Sequence, residues 1–242
     1  MSTDRHEMQI AGLAVEVVRR DIKHLHLGVY PPAGRVRVAA PLRLDDEAVR
    51  LAVVSRLAWI RSKQKGFLEQ ARQSQREMVS GESHYFQGRR YLLAVKEGDG
   101  APHVRLVGRS KLELRVPPGF DRAQREAVLE RWQRRQLKLL IPPLLARWEP
   151  RIGKAVCEVR IRKMKTRWGS CNPAARRIWL NLELVKKPPA CLEYVLVHEL
   201  VHLHERHHNE RFHEWMNTLL PGWRVCRDEL NRAPLAHEDW TY

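Results

Sequence analysis

The sequence has few cysteines and no long apolar run. No stretch approaches the roughly 20 apolar residues of a transmembrane helix, and residues 1–7 lack the apolar run of a signal peptide. The cysteines are far apart and form no C-x-x-C pair, which argues against a zinc knuckle or a dithiol redox motif. We therefore expect a cytoplasmic protein with reduced thiols and no membrane partner.

The chain has fewer acidic than basic residues: 28 Asp and Glu against 44 Lys and Arg, which gives a formal net charge of +16. Much of the excess lies between His103 and Arg167. Such a charge attracts nucleic acid, nucleotides or acidic proteins, although a solvated basic surface is the alternative interpretation. No Gly-rich phosphate-binding loop is present, so charge alone does not identify the partner.

The strongest chemical signal is the H-E-x-x-H pattern formed by His198, Glu199 and His202. In a helix, a spacing of four residues brings two side chains to within about 40° of each other, so both histidines share one face. Two imidazoles on one face can share a tetrahedral zinc ion, and the adjacent carboxylate can take a proton from an activated water. The opposite face carries leucines that we expect to be buried: Leu192, Leu196, Leu200 and Leu203.

A third histidine, His208, follows six residues after His202. In a continuous helix it would lie about 240° further round and could not join the same metal. The first helix must therefore end near Glu205, and Asn209 is a good N-cap for a second helix. Three histidine ligands leave a fourth position open for water, which is typical of catalytic rather than structural zinc.

A chance match must be weighed, because the chain has 12 histidines and several crowd this segment. His204 and His207 point elsewhere on the first helix and are expected to be solvated or to support the site from outside. His213 is expected to be a packing residue of the second helix. The amphipathic helix, the third histidine and the following N-cap together favour metal binding over coincidence.

The sequence before residue 118 reads as two groups of strands, over residues 10–44 and 83–116, with one helix between them. Pro117-Pro118-Gly119 is the clearest turn signal in the chain. We therefore predict a β-rich N-terminal region over residues 1–118 and a catalytic domain over residues 119–242. No internal repeat is convincing.

The second half begins with a long basic helix that Asp121 caps and that Pro142-Pro143 should end or kink. Residues 156–163 alternate as a strand, and residues 178–181 read as its partner. Between them, residues 168–171 read as a turn. The expected fold class is α+β.

Two residues in this block are candidates for substrate contact. Trp168 could line the site or pack in the core, with core packing favoured, and Asn181 could lie near the metal or merely end its strand. Cys171 has no base beside it in the sequence, so we assign it no nucleophilic role.

These motifs together resemble the YgjP-like metallopeptidase family, a relative of the SprT and WLM zincin-like proteases. The residues that carry the resemblance are Arg167 to Cys171, Ile178 to Asn181, Tyr194-Val195, His198 to His202, His208 and Phe212. The resemblance spans about Val15 to Leu230, and the usual Asn-His-Ser before the second helix is here His207-His208-Asn209.

That resemblance implies a zincin-like fold in which His198, His202 and His208 hold Zn²⁺ and Glu199 is the general base. It also implies a sheet edge beside the catalytic helix that binds an extended peptide, with Trp168 as a candidate substrate-binding residue. Asn181 is the second such candidate.

Three functional hypotheses follow. The first is a zinc metallopeptidase acting on a protein or peptide. The second is a metal-dependent phosphohydrolase acting on nucleotides, which the arginine excess favours but three imidazole ligands disfavour, since magnesium and manganese prefer oxygen. The third is a nucleic-acid-binding module, or a SprT-like protease recruited to DNA by its basic surface. The sequence does not identify the group that would stabilise the oxyanion.

Overall fold

The computed structural model describes residues 5–30, 34–69, 76–164 and 167–232. In these residues the fold is α+β, with eleven strands in three sheets and six α-helices. None of the described helices combines the length and the apolar character needed to cross a bilayer. The chain forms two compact units, Met1–Arg72 and Gln73–Tyr242.

The first unit is a four-stranded sheet with two helices. The strands are β1 (Arg5–Ile10), β2 (Leu13–Arg20), β3 (His26–Tyr30) and β4 (Arg35–Pro41), in the order β1-β2-β4-β3. The helices are α1 (Asp46–Val54) and α2 (Leu57–Glu69). Valines that alternate along the strands, such as Val17 and Val38, are fully buried with Val49 and Val53 of α1. Asp45 caps α1 by accepting from the backbone N–H of Ala48 at 2.8 Å.

The second unit begins with a sheet of the same design. Its strands are β5 (Ser83–Phe86), β6 (Arg89–Glu97), β7 (His103–Val107) and β8 (Lys111–Val116), in the order β5-β6-β8-β7. In both sheets the outer pairs are antiparallel and the central pair is parallel. Each four-stranded sheet is followed by a helix with an aspartate N-cap, which in the second unit is α3 (Arg122–Ile152). The chain therefore contains a structural repeat that its sequence does not display.

The first hairpin of each repeat turns on two residues with positive φ. These are Ala11-Gly12, with φ of 51° and 79°, and Gln87-Gly88, with φ of 48° and 77°. Two successive residues in the left-handed region form the tight turn whose twist matches that of the flanking strands. The same local solution thus closes both hairpins.

The boundary between the two units lies between residues 72 and 73 of the sequence, whereas the turn signal predicts a boundary after residue 118. Leu112 and Leu114 of β8 belong to the same hydrophobic core as Leu137 and Ile141 of α3. Pro117-Pro118-Gly119 is therefore a turn between a strand and a helix that pack on each other. A turn signal marks a change of direction in the chain and does not report whether the core continues across it.

The rest of the second unit holds a three-stranded sheet and the C-terminal helices. Its strands are β9 (Glu158–Arg162), β10 (Gly169–Asn172) and β11 (Arg177–Asn181), in the order β10-β11-β9, followed by a 3₁₀ helix at Leu182–Lys186. The helices are α4 (Pro189–Val201), α5 (Glu210–Leu219) and α6 (Trp223–Arg232).

One local prediction for this unit is wrong, and one of two alternatives at a second position is excluded. Residues 168–171 are not a turn, because Gly169–Asn172 pairs with β11 as a strand and the turn follows at residues 173–176. Of the end or kink predicted at Pro142-Pro143, the end is excluded, because the long helix continues to Ile152. Tertiary packing of Ile141, Trp148 and Ile152 in the core outweighs the hydrogen bonds that the prolines remove.

The central strand β8 carries a buried carboxylate, Glu113, whose side chain is 5% exposed. Arg105 of β7 and Lys96 of β6 each approach it to 2.7 Å. Hydrogen bonds from Arg105 and then Lys96 lower the pKa of Glu113 to about 2. Since the folded protein holds this proton less tightly than an ordinary carboxyl with a pKa near 4.5, the ion pairs stabilise the fold above that pH. Their contribution is lost as pH falls from 4.5 towards 2.

We predict that Glu113→Gln lowers the melting temperature at pH 7 and that the difference from the parent protein shrinks as pH falls from 4.5 to 2. In an Arg105→Gln background, the effect of Glu113→Gln on the melting temperature at pH 7 should be smaller, because the strongest partner of the carboxylate is absent. Arg109→Gln is the matched control, since Arg109 forms no ion pair within the described residues. Melting curves across this pH range would contradict the assignment if the Glu113→Gln difference did not change with pH.

Candidate metal centre

The helix α4 presents its apolar side to the core and its histidines to a cleft. Leu192, Leu196 and Leu200 are buried at 0–3% exposure, as the spacing of the leucines predicts. His198 and Glu199 lie in the last turn of α4, and His202 is its C-cap. The helix thus ends earlier than the position near Glu205 that the sequence analysis predicts.

The end of α4 is fixed by contacts from the end of α3. Lys154 donates from Nζ to the carbonyl of Leu203 at 2.6 Å, and Nε2 of His204 lies 2.8 Å from the carbonyl of Ile152. A lysine near the last carbonyls of a helix satisfies groups that have no partner within the helix. These two contacts hold the chain in a turn directly after His202, and His204, although exposed, supports this turn from outside the histidine cluster.

The turn brings the third histidine back to the first two. Asn209 caps α5 by accepting from the backbone N–H of Phe212 at 3.0 Å, as predicted. His208, just before this cap, places its Nε2 atom 3.0 Å from Nε2 of His198 and 3.1 Å from Nε2 of His202. Among the described residues, metal-binding side chains (His, Cys, Asp or Glu) come close enough to hold an ion in one group, which consists of these three histidines.

The surroundings keep the three imidazoles neutral. Burial, followed by the charges of His202 and His208, lowers the pKa of His198 to about 3. Burial also lowers the pKa of His202 and of His208. The ring of Phe212 packs against all three, with centroids 4.6–4.9 Å away. The lone pairs of these rings are therefore free of protons at neutral pH.

The chemistry of this donor set fits a transition-metal ion. His202 is 2.9 Å from the carbonyl of Glu205 through Nδ1, so that nitrogen carries the proton and Nε2 is an acceptor. Nε2 of His208 lies about 3 Å from the Nε2 atoms of both other histidines, and these two contacts cannot both be hydrogen bonds, because each needs a proton between its two nitrogens and Nε2 of His202 carries none. A cation with affinity for imidazole satisfies all three at once.

The carboxylate of Glu199 is buried at 5% exposure beside the backbone of β10. A Cβ atom on Gly169 would lie 2.8 Å from Cγ of Glu199, a distance that real Cβ contacts essentially never show. Only glycine allows the strand to approach this closely. Burial raises the pKa of Glu199 to about 8, and the guanidinium of Arg167 acts in the opposite direction. The group can therefore accept or hold a proton near neutral pH.

These residues line a cleft of about 1110 Å³. Its wall includes β10, which is the edge strand of its sheet and pairs with β11 on one side. The sequence left two roles open for Trp168, and its side chain lines the cleft as well as packing against the core. The ammonium of Lys187 lies 5.6 Å from the centroid of its ring.

The structure places Asn181 away from the cleft, in contrast to the substrate contact that the sequence predicts. Its side chain is completely buried. It donates from Nδ2 to the carbonyls of Met164 and Arg167, both at 2.8 Å, and its Oδ1 accepts from the backbone N–H of Glu183 at 3.2 Å. Asn181 therefore holds the backbone that leads into β10, and a fully bonded side chain in the core has no face left for substrate.

Tyr194 is a cleft residue to which the sequence analysis assigns no role. It lies edge-on to His198 with ring centroids 5.8 Å apart and stacks on Trp223 at 6.0 Å. The ring of His213 also stacks on Trp223, with centroids 5.8 Å apart, which agrees with its predicted packing role. The signal that could have found Tyr194 is its spacing, since it precedes His198 by four residues and so shares its helix face.

The other predicted features lie outside this cluster. Arg131, Arg135 and Lys138 are exposed along α3, and polyanion binding to this basic surface stays a prediction. The four cysteines are free thiols. Cys171 lines the cleft, where burial raises its pKa to about 11, so it carries no thiolate at neutral pH.

Comparison with known proteins agrees with the resemblance drawn from the motifs. No curated protein matches the chain significantly. The crystal structure of the metallopeptidase zymogen of Pyrococcus abyssi abylysin is similar at 24% identity, covering 36% of this chain and 89% of that one with a TM-score of 0.34. The family model described as YgjP-like, metallopeptidase domain, matches residues 25–233. Because this match spans most of the sequence, the chain belongs to the YgjP-like metallopeptidase family.

Proposed function

We propose that this protein is a zinc-dependent metallopeptidase with a zincin-like site. In this proposal His198, His202 and His208 hold the zinc ion and Glu199 is the general base. The observation that carries it is the meeting of three Nε2 atoms, at 3.0 and 3.1 Å, beside a buried carboxylate. Metal-dependent peptidase activity is what the family as a whole supports.

The choice of zinc rests on the ligands. Three imidazoles without a carboxylate ligand suit zinc better than magnesium or calcium, which prefer oxygen. When bound, zinc would supply a Lewis acid that makes water more acidic and polarises a substrate carbonyl. The three-histidine set leaves room for substrate and water, as catalytic zinc sites do.

Glu199 would move the proton. A carboxylate whose pKa is raised to about 8 by burial can take a proton from water and keep it long enough to deliver it to the leaving amine. Its position beside the backbone of Gly169 fixes the direction from which it acts. No other carboxylate is among the described residues that line the cleft.

The free edge of β10 would orient the substrate. An edge strand offers backbone N–H and C=O groups that an extended peptide can pair with, which gives affinity without dependence on sequence. Because Gly169 of this strand contacts Glu199, a peptide added at the edge would lie along the carboxylate and the three histidines. Trp168, at the start of the same edge, is placed to contact a substrate side chain.

The first prediction concerns the general base. Glu199→Gln should reduce cleavage of an unfolded protein by about 10²–10⁴-fold, the usual contribution of general base catalysis, while zinc stoichiometry is unchanged. Cleavage by zinc-loaded enzyme is followed by gel electrophoresis and zinc by atomic absorption. Glu214→Gln is the control, since Glu214 is an exposed carboxylate on α5. Equal activity of Glu199→Gln and the parent protein would rule out the role of Glu199.

The second prediction concerns the third ligand. His208→Ala should weaken zinc affinity by about 100-fold or more, because removing a ligand costs at least as much as removing the group that supports one. A competition titration with a chelator measures it. His207→Ala is the matched control, since it removes the exposed neighbouring imidazole, which is outside the cluster. Similar losses in both variants would show that His208 is not a ligand.

The third prediction concerns the approach of β10 to the base. Gly169→Ala should lower kcat by about 10- to 100-fold while zinc affinity is retained, because the added methyl group displaces Glu199 or the strand edge. Gly98→Ala is the control, since a Cβ there meets no atom within 4 Å. Unchanged kcat in Gly169→Ala would mean that this contact is not part of the catalytic arrangement.

A further inference from the structure

The charge of the cleft is unbalanced. Among the described residues that line it are three arginines, Arg167, Arg206 and Arg227, together with His204. The single acidic side chain in that lining is Glu199, which is buried at 5% exposure. A ligand entering the cleft therefore meets positive charge with little opposing negative charge.

Within the part of the chain that the structure describes, two of these arginines have no side-chain partner. Arg227 is already engaged, since it lies 2.8 Å from Asp228 and its guanidinium is 5.2 Å from the centroid of Trp223. Arg167 and Arg206 are exposed and form no hydrogen bond or ion pair through their side chains with any described residue. An exposed arginine without a carboxylate partner is available for a bidentate contact with an anion.

Arg167 and Arg206 come from different segments of the chain. Arg167 lies two residues before β10 and is close enough to Glu199 for its charge to act on that carboxyl. Arg206 lies in the turn between His202 and His208 and lines the same cleft. A substrate bound in the cleft would therefore meet an arginine from the segment before β10 and an arginine from the histidine turn.

We propose that the cleft selects acidic polypeptides, with Arg167 and Arg206 binding aspartate or glutamate side chains of the substrate near the scissile bond. This inference rests on the proposed peptidase function. Arginine pairs with a carboxylate through two parallel hydrogen bonds, which gives direction as well as attraction. Arg167 and Arg206 are then specificity-determining residues of the reaction.

The shape of the cleft favours a peptide over a nucleotide. Its volume of about 1110 Å³ exceeds the roughly 300–1,000 Å³ of most small-molecule pockets. One wall is the strand edge β10, whose backbone groups repeat along an extended chain. Trp168 and Trp179 line the same space and offer apolar surface to substrate side chains between the charged ones.

The test uses three fluorescein-labelled peptides of equal length that share a central sequence and differ in flanking residues, which are acidic, neutral or basic. Binding to the full-length, zinc-loaded Glu199→Gln protein is measured by fluorescence anisotropy, and cleavage by the parent protein as kcat/KM. We expect the acidic peptide to bind about 2- to 5-fold more tightly than the neutral one for each arginine engaged. Raising the salt concentration should reduce this preference.

Substitution identifies the source of the preference. Arg167→Gln and Arg206→Gln should each lower the ratio of acidic to neutral binding and the corresponding ratio of kcat/KM by about 2- to 5-fold. Because Arg167 also acts on Glu199, the ratio is the informative quantity, since a general change in catalysis affects both peptides equally. Arg135→Gln, which removes an exposed arginine of α3 outside the cleft lining, should leave the ratio unchanged.

The outcomes separate this inference from the peptidase function. Cleavage of all three peptides with equal kcat/KM would overturn the acidic preference and leave the peptidase intact. Tighter binding of the acidic peptide that depends on Arg206, without cleavage of any peptide, would support the preference and count against the peptidase. If ATP bound in an Arg206-dependent manner while acidic peptides did not bind, the cleft would be a phosphate site and the inference would be wrong.

Discussion

The candidate site depends on where α4 ends. A helix that continued past His202 would carry His208 to the far side, so three imidazoles can meet only if the chain reverses within six residues. The reversal is held by two contacts with the end of α3: Lys154, just after this helix, donates to the carbonyl of Leu203, and the ring of His204 contacts the carbonyl of Ile152. The Asn209 cap then starts α5 with His208 facing back. The positions of the three histidines are thus set by a turn that other elements hold in place, more than by the helix that carries the motif.

The burial of Glu199 is the main energetic cost at the site. A pKa raised from 4.5 to about 8 corresponds to roughly 5 kcal/mol disfavouring the charged form in the metal-free protein. Such a cost is typical of functional sites, where surrounding packing holds a group that the fold itself does not need. Here the packing is the contact with Gly169, which closes one side of the carboxyl to water. Arg167 offsets part of the cost through its charge while its side chain stays exposed to the cleft.

Local signals in the sequence predicted the parts of the fold that are decided locally. The N-caps at Asp121 and Asn209, the buried leucine face of α4 and the need for a reversal before His208 all follow from spacing and side-chain chemistry. Features set by distant packing were not readable. Gly169 looks like a turn residue, but its lack of a side chain serves the contact with Glu199. Asn181 was a candidate for substrate contact near the metal, but its amide forms hydrogen bonds with buried backbone groups. The repeated sheet was hidden because strand order depends on pairing between segments.

The two units share one sheet topology but differ in the length of the helix that follows the sheet. Each unit pairs four strands in the same order and leads through an aspartate cap into a helix. In the first unit that helix, α1, has 9 residues, whereas α3 in the second has 31 and continues through Pro142 and Pro143. The additional turns are what place Ile152 and Lys154 beside the end of α4. A shorter α3 would remove the two contacts that reverse the chain after His202. The long helix α3 therefore connects the repeated sheet to the turn that carries the histidines. Its length allows it to pack on the sheet and also to contact this turn.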